Sequence, residues 1–191
     1  MSNSRNVKCE ELLHRKLGNK IVSLTTELDS LVLVLKREDI REVFQFLKDD
    51  TELNFNVLSS ITAIDWLDSR SDRFEVVYHL LSLTQWYRLR IKVAVPEEDP
   101  TVDSVLHLWA SADYLESECW DMYGINFRGN PDLRRMLMYP EFVGHPLRKD
   151  YPVQGKQPRI PMIHPEVRNT ATDMVRPSLI QIRKRKEEAR A

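Results

Sequence analysis

Cysteine, glycine and long apolar runs are all scarce in this chain of 191 residues. Its two cysteines, Cys9 and Cys119, stand far apart and form no CxxC. They are too few for an iron–sulfur cluster held by four thiolates, for a structural zinc knuckle or for a disulfide scaffold, so a reducing compartment is expected. Five glycines, none in a GxGxxG or GxxxxGK[ST] arrangement, argue against a loop that cradles nucleotide phosphates. Neither GxSxG nor HExxH occurs. The five histidines (His14, His79, His107, His145, His164) lack ligand spacing. Only Glu11 and His14 form a Glu-x-x-His pair, where a di-metal bundle needs one on each of two helices. No apolar run approaches the roughly 18 residues of a membrane helix. The start, MSNSRNVKCEELLHRK, lacks the apolar centre of a secretion signal, and Glu10-Glu11 argues against a transit peptide. A soluble or peripheral protein is expected.

What is present is unevenly distributed. The 28 basic and 29 acidic residues almost cancel, yet residues 93–127 hold 8 acidic and no basic side chains, while residues 128–191 hold 14 basic and 7 acidic ones. Eight of the ten prolines follow residue 130. The expected organisation is an α/β domain over 1–127 and an extended, proline-rich C-terminal segment over 128–191. About 42% apolar content is ordinary for a globular core.

Periodicity supplies the elements. Leu12, Leu13 and Leu17 mark a narrow helical stripe within 1–19, stopped at Gly18-Asn19. Short strands are expected near 20–26 and 31–36. Ile40, Val43, Phe44 and Leu47 recur at helical spacing, which predicts a helix over 39–49. Residues 53–63 have strand composition. The run Phe74–Leu83 is apolar on both faces, as an interior strand requires. Tyr87, Leu89, Ile91, Val93 and Val95 alternate with Arg88, Arg90 and Lys92, giving one buried and one cationic face. Asp99-Pro100 resembles a helix start, and Val102, Val105, Leu106 and Trp109 extend it at helical spacing. Ser111 is placed to cap a second helix, which Gly124 can end in left-handed conformation. The expected class is α+β: a mixed sheet with flanking helices. Beyond Phe127 the apolar anchors through Tyr151 require burial, against this domain or against a partner.

Three clusters could carry chemistry. On a helix, Glu118 and Asp121 share a face beside Tyr114, with Leu115, Cys119 and Met122 adjacent. That pair could serve acid–base work, half a metal site, the receptor of an arginine clamp from Arg134-Arg135, or simply a solvated acidic face. The run Gly144-His-Pro-Leu-Arg-Lys-Asp-Tyr-Pro152 places Arg148 and Lys149 for an anion or partner contact, or makes a polar turn. The basic run 182–190 could meet nucleic acid or an anionic membrane. It lacks interleaved aromatics and its cations 183–186 are followed at once by Glu187 and Glu188, so a terminal helix or a contact between subunits fits better and no nucleic-acid partner is expected.

The combined pattern Glu116-x-Glu118-x-x-Asp121-x-x-Gly124-x-x-Phe127-x-Gly129-x-Pro131-x-Leu133-Arg134-Arg135, followed by Gly144-His145-Pro-Leu-Arg148-Lys149-Asp150-Tyr151, closely resembles the thirty-kilodalton (C-type) hydrophilic subunit family of respiratory complex I, proton-translocating NADH:quinone oxidoreductase. Asp65-Trp66 and Arg73–Leu80 also look like that family, so the resemblance spans roughly 55–153. Two positions depart: Ser117 where the family usually has arginine, and Asn130 where it usually has histidine.

The resemblance implies a structural subunit that binds no flavin, iron–sulfur cluster or quinone itself, FMN and the clusters being held by partner subunits. It implies an α/β domain whose C-terminal extension wraps the larger quinone-proximal subunit of the peripheral arm. Membrane association would run through partners, at the cytoplasmic face of a bacterial membrane or the matrix side of the mitochondrial inner membrane. Glu116, Glu118, Asp121, Gly124, Arg134, Arg135, His145, Arg148, Lys149 and Asp150 are then structural or partner-contact residues. The alternatives are the equivalent subunit of a membrane-bound hydrogenase or ferredoxin-linked complex, a free-standing carboxylate enzyme, and a nucleic-acid-binding adaptor.

Overall fold

The computed structural model describes residues 2–28, 30–155 and 157. The basic run 182–190 and the rest of the chain beyond Gln157 lie outside the described residues. Helix α1 (Ser2–Leu17) leads into strands β1 (Ile21–Glu27) and β2 (Ser30–Leu35). Helix α2 (Ile40–Asp49) follows, then β3 (Val57–Asp65), β4 (Phe74–Leu81), β5 (Arg88–Val95), the short β6 (Thr101–Asp103), α3 (Ala112–Tyr123) and the short β7 (Asn126–Arg128). Five strands form one mixed sheet in the order β1-β2-β5-β4-β3. The pairing of β2 with β5 is parallel, and the others are antiparallel.

One face of the sheet carries the core. Leu31, Leu33, Leu35, Leu89, Ile91, Val93, Val76, Tyr78 and Leu80 are buried there with the stripes of all three helices. In α2 the four residues predicted from spacing, Ile40, Val43, Phe44 and Leu47, are fully buried. Each such side chain stabilises the fold by about 1.5–3 kcal/mol relative to exposure. Phe44 meets Tyr78 and Trp109 edge-on, with ring centres 4.9 and 6.0 Å apart. Asp50 ends α2 by accepting the backbone N–H groups of Glu52 and Leu53, and it holds Lys16 of α1 at 2.6 Å. Strand β4 lies between β5 and β3, and along it every residue but His79 and Leu81 is buried.

Two local expectations fail. The helical spacing after Pro100 does not make a helix. Thr101–Asp103 pair in parallel with Asn126–Arg128, the Asn126 N–H bonds to the Pro100 carbonyl, and Ser104 N–H bonds to that of Arg128. Val105 and Trp109 are then buried by tight turns. A long-range ladder thus outcompetes a local pattern. Ser111 stands just before α3 but makes no cap; its hydroxyl donates to the Leu58 carbonyl at 3.1 Å. Gly124 does end α3 in left-handed conformation, with φ 75°.

Candidate functional site

The chemistry-bearing residues gather around α3 and the segment that follows it. Any α-helix leaves its last carbonyls without partners inside the helix. In α3 they are taken up by the chain beyond residue 140. The Gly124 N–H closes on Trp120. The Asp121 carbonyl meets His145 Nδ1 at 3.0 Å, the Met122 carbonyl accepts the Leu147 N–H at 3.1 Å, and the Tyr123 carbonyl accepts Arg148 Nε at 2.5 Å. Arg148 also sets a positive charge where the helix dipole is negative. Gly124 makes this approach possible: a Cβ there would come within 2.6 Å of the His145 ring and 2.5 Å of Arg148 Nη2. Burial holds His145 below the usual histidine range. A neutral ring donating from Nδ1 to the carbonyl fits that setting.

Two carboxylates of α3 are fully buried, Glu116 and Asp121. Asp121 Oδ1 receives Arg135 Nη1 at 2.5 Å, and Oδ2 accepts the backbone N–H groups of Met136, Leu137 and Met138 at 2.9–3.0 Å. Burial pushes this carboxyl up, but the amides of Met138 and Leu137, with Arg135, outweigh it and hold it below the ordinary value. Arg135 lies between the rings of Trp120 and Phe142, 5.7 and 5.4 Å from their centres, and donates to the Gly144 carbonyl. Glu116 has no cation. It accepts Ser104 Oγ and Val105 N–H at 2.8 Å and Asn130 Nδ2 at 2.9 Å. Burial dominates there and raises the carboxyl above its usual range.

A third buried carboxylate comes from the sheet. Asp65 at the end of β3 faces Arg73 at the start of β4, with both Nε–Oδ1 and Nη2–Oδ2 at 3.1 Å. The same Asp65 accepts the Lys149 N–H at 2.8 Å, and Arg73 Nη2 reaches Asp150 at 2.8 Å. Arg73 and Arg148 both sit about 5 Å from the ring centre of Phe74. Arg73 is therefore the bridge between the β3–β4 hairpin and the segment 148–150.

The expected pairing of Glu118 and Asp121 is not built. Glu118 shares that side of α3 but is exposed, and of the two only Asp121 is buried, among the donors of residues 135–138. Glu116 takes the second buried place. Of the two adjacent arginines only Arg135 reaches Asp121; Arg134 is exposed and pairs with Asp132 at 3.0 Å. Lys149 contributes its backbone, and its side chain is exposed. Motif spacing missed the bond between Asp65 and Arg73, although two charged residues bracketing apolar strands of one hairpin are the signal that could have found it. Ser117, in the place of the family's usual arginine, is buried and donates to the Asp132 carbonyl at 3.4 Å.

The model of the respiratory-chain NADH dehydrogenase 30 kDa subunit family matches residues 33–157. The chain belongs to that family. Its relatives include the C subunit of NADH-quinone oxidoreductase from Citrifermentans bemidjiense, 43% identical over 143 residues, covering 75% of this chain and 87% of that protein. The counterpart of the same name from Ralstonia pickettii is 43% identical over 149 residues, covering 75% and 74%. Among solved structures, the trypsin-resistant fragment (1–134) of Nqo5 is 38% identical with a TM-score of 0.57, covering 65% of this chain and 98% of that one. A chain of the membrane-bound sulfane sulfur reductase, an archaeal respiratory membrane complex, is 25% identical with a TM-score of 0.65, covering 77% and 87%. Of the α3 signature positions, Glu116 and Asp121 bond to residues 130–138, Gly124 gives room to His145 and Arg148, and Glu118 is exposed.

Proposed function

We propose that this chain is a structural subunit of the peripheral arm of NADH–quinone oxidoreductase, with no active site of its own. One observation supports the reading most directly: the buried carboxylates Asp121 and Asp65 have both oxygens occupied by the chain's own arginines and backbone amides. A general base needs a lone pair within reach of its substrate, and these carboxylates are buried and already engaged by the chain itself. Their work is to fix the exit of the extended segment, which then presents Leu137, Val143, Leu147 and Val153, all more than half exposed, to the larger quinone-proximal subunit.

FMN and the iron–sulfur clusters belong, on this proposal, to partner subunits. The donor set here does not fit a cluster: Cys9 and Cys119 are buried singly, and desolvation pushes the Cys9 thiol up to about 12 and that of Cys119 well above its usual range. Among the described residues no group of three or more histidine, cysteine or carboxylate side chains is placed to hold a metal ion, and no helix is long and apolar enough to cross a membrane. Membrane association through partners, at the cytoplasmic face, follows from the assembly role. The names of the family and of its NADH-quinone oxidoreductase relatives favour this complex over a hydrogenase-type or ferredoxin-linked one. Affinity purification of the tagged full chain in mild detergent, read by mass spectrometry and NADH–quinone activity, tests it. Co-elution with flavin-bearing and cluster-bearing subunits is expected. An active free monomer, or co-elution with hydrogenase subunits, would overturn it.

A further inference from the structure

The face of the sheet opposite the helices is covered by no described element, and at one end it is built like a receptor. Register places Ser60, His79, Arg90 and Val32 in one row across β3, β4, β5 and β2, with Leu81 and Arg88 in a neighbouring row. Of these, all but Val32 border, with Ser30 and Ser59, a groove of about 490 Å³ that no described carboxylate lines. Arg90 Nε donates to His79 Nε2 at 3.1 Å, so that nitrogen is an acceptor and the ring is neutral. Glu27 is engaged by Lys92 at 3.2 Å and pairs with Arg90 at 4.0 Å. Arg88 is exposed and pairs with no described carboxylate. Among the described residues, Arg88 thus gives the groove a cation without a carboxylate partner, while Arg90 shares Glu27 with Lys92.

The same end of the sheet exposes apolar side chains. The β4–β5 loop, closed by the Ser82 N–H on the Tyr87 carbonyl, leaves Leu83 48% and Trp86 62% exposed. Leu28, at the β1–β2 tip, is fully exposed. Because β2 and β5 run parallel with Leu31 opposite Leu89, the two tips emerge at one end, about 10 Å apart by strand spacing. Trp86 and Leu28 have φ of 59° and 47°, a backbone region that favours glycine. A large apolar side chain is thus kept where the local backbone would prefer none, and tryptophan with arginine is the pairing enriched at the centres of protein interfaces.

We infer that this end of the sheet is a second docking surface of the subunit, whose occupant is a partner segment carrying a carboxylate beside an apolar side chain. Arg88 and Arg90 receive the carboxylate in the groove, and Trp86 and Leu83 take the apolar group. A small free anion would use the arginines and leave the tryptophan idle, so charge and apolar exposure together select a protein. The inference rests on the assembly role and adds a contact on the side of the domain away from α3.

Its test uses the tagged full chain in native membranes. A benzoylphenylalanine photo-crosslinker at position 86 is expected to capture another subunit of the complex, within a few residues of an aspartate or glutamate that has an apolar neighbour. Trp86→Gly suits the left-handed backbone, so the purified chain should melt at the wild-type temperature or above it. The same variant should be retained in the complex about tenfold more weakly. Arg88→Glu should reduce retention at least as far, and Arg88→Lys less. Cross-links confined to this chain or to lipid, or undiminished retention of both Trp86→Gly and Arg88→Glu, would overturn the docking surface alone. Failure of the wild-type chain to co-elute with NADH dehydrogenase subunits would instead overturn the assembly role.

Discussion

Glu116 and Asp121 sit five positions apart on one helix, are equally buried, and are perturbed in opposite directions. Asp121 has a guanidinium and three backbone amides, and its carboxyl is held low. Glu116 has a hydroxyl, an amide side chain and one backbone amide, all uncharged, and desolvation wins. Burial alone therefore does not set the charge state; the count and charge of the donors do. The difference has a structural meaning. Glu116 joins elements within the domain, whereas Asp121 catches the chain at 135–138 and turns it back. The first is a polar brace, the second an anchor.

The strongest way to break this comparison is Asp121→Ala. It strands the partly buried Arg135 and frees three amides at once, and losing one member of such a pair typically costs about 3–5 kcal/mol. Urea unfolding of the purified chain should report that loss, and limited proteolysis should cut first near 135–145. Protection of that segment equal to wild type would show that Asp121 is not the anchor. Glu116→Gln comes next. The amide can still accept Ser104 and Asn130 through its oxygen, but its NH₂ then faces the Val105 N–H. One unmet buried donor costs about 1–3 kcal/mol, so this variant should be weaker than wild type yet clearly stronger than Asp121→Ala, with its arm still protected.

The same helix shows where reading the sequence succeeded and where it stopped. Gly124 as a left-handed terminus, the stripe of α2 and the one-sided cationic strand β5 were all legible, because each is dictated by neighbours three or four residues away at most. The apparent helix after Pro100 was misread, because β6 forms only when β7, more than twenty residues later, supplies its ladder. Choosing Glu118 over Glu116 as the partner of Asp121 had the same origin. Residues i, i+3 share a helix face, but which face points inward depends on Ser104, Val105 and Asn130, none of them on the helix. The family pattern named Glu116, Glu118 and Asp121 together; the fold decides which of them turn inward as brace and anchor.

Titration sharpens the contrast further. Asp121 lies below its ordinary value of 3.8, so its contribution is intact above 3.8 and is lost as pH falls through the depressed folded value. Glu116 lies above its ordinary 4.5, so the folded state binds the extra proton and its contribution declines as pH rises from 4.5 through the raised value. Melting temperatures followed from pH 3 to 8 should therefore diverge in a defined way. The deficit of Asp121→Asn relative to wild type should grow as pH rises. That of Glu116→Gln should shrink. Parallel profiles for the two variants would mean that the donors, as placed, do not separate the two carboxyls.

The smallest expected effect comes from Arg134, one residue from the anchor. Its guanidinium is more than half exposed and meets an equally exposed Asp132, and such pairs contribute between nothing and about 1 kcal/mol. Arg134→Ala should leave the unfolding midpoint of the purified chain within about 0.5 kcal/mol of wild type, while Arg135→Ala should lose several times that. If Arg134 faces a partner, the variant will nonetheless be retained less well in the assembled complex, and more so at low ionic strength, where surface charges act over longer distances. Arg135→Ala should weaken assembly by a different route, through a loosened arm, and that loss should track its stability across urea concentrations. Two adjacent arginines would then separate cleanly: one whose loss is felt only when the partner is present, and one whose loss is felt already in the chain alone.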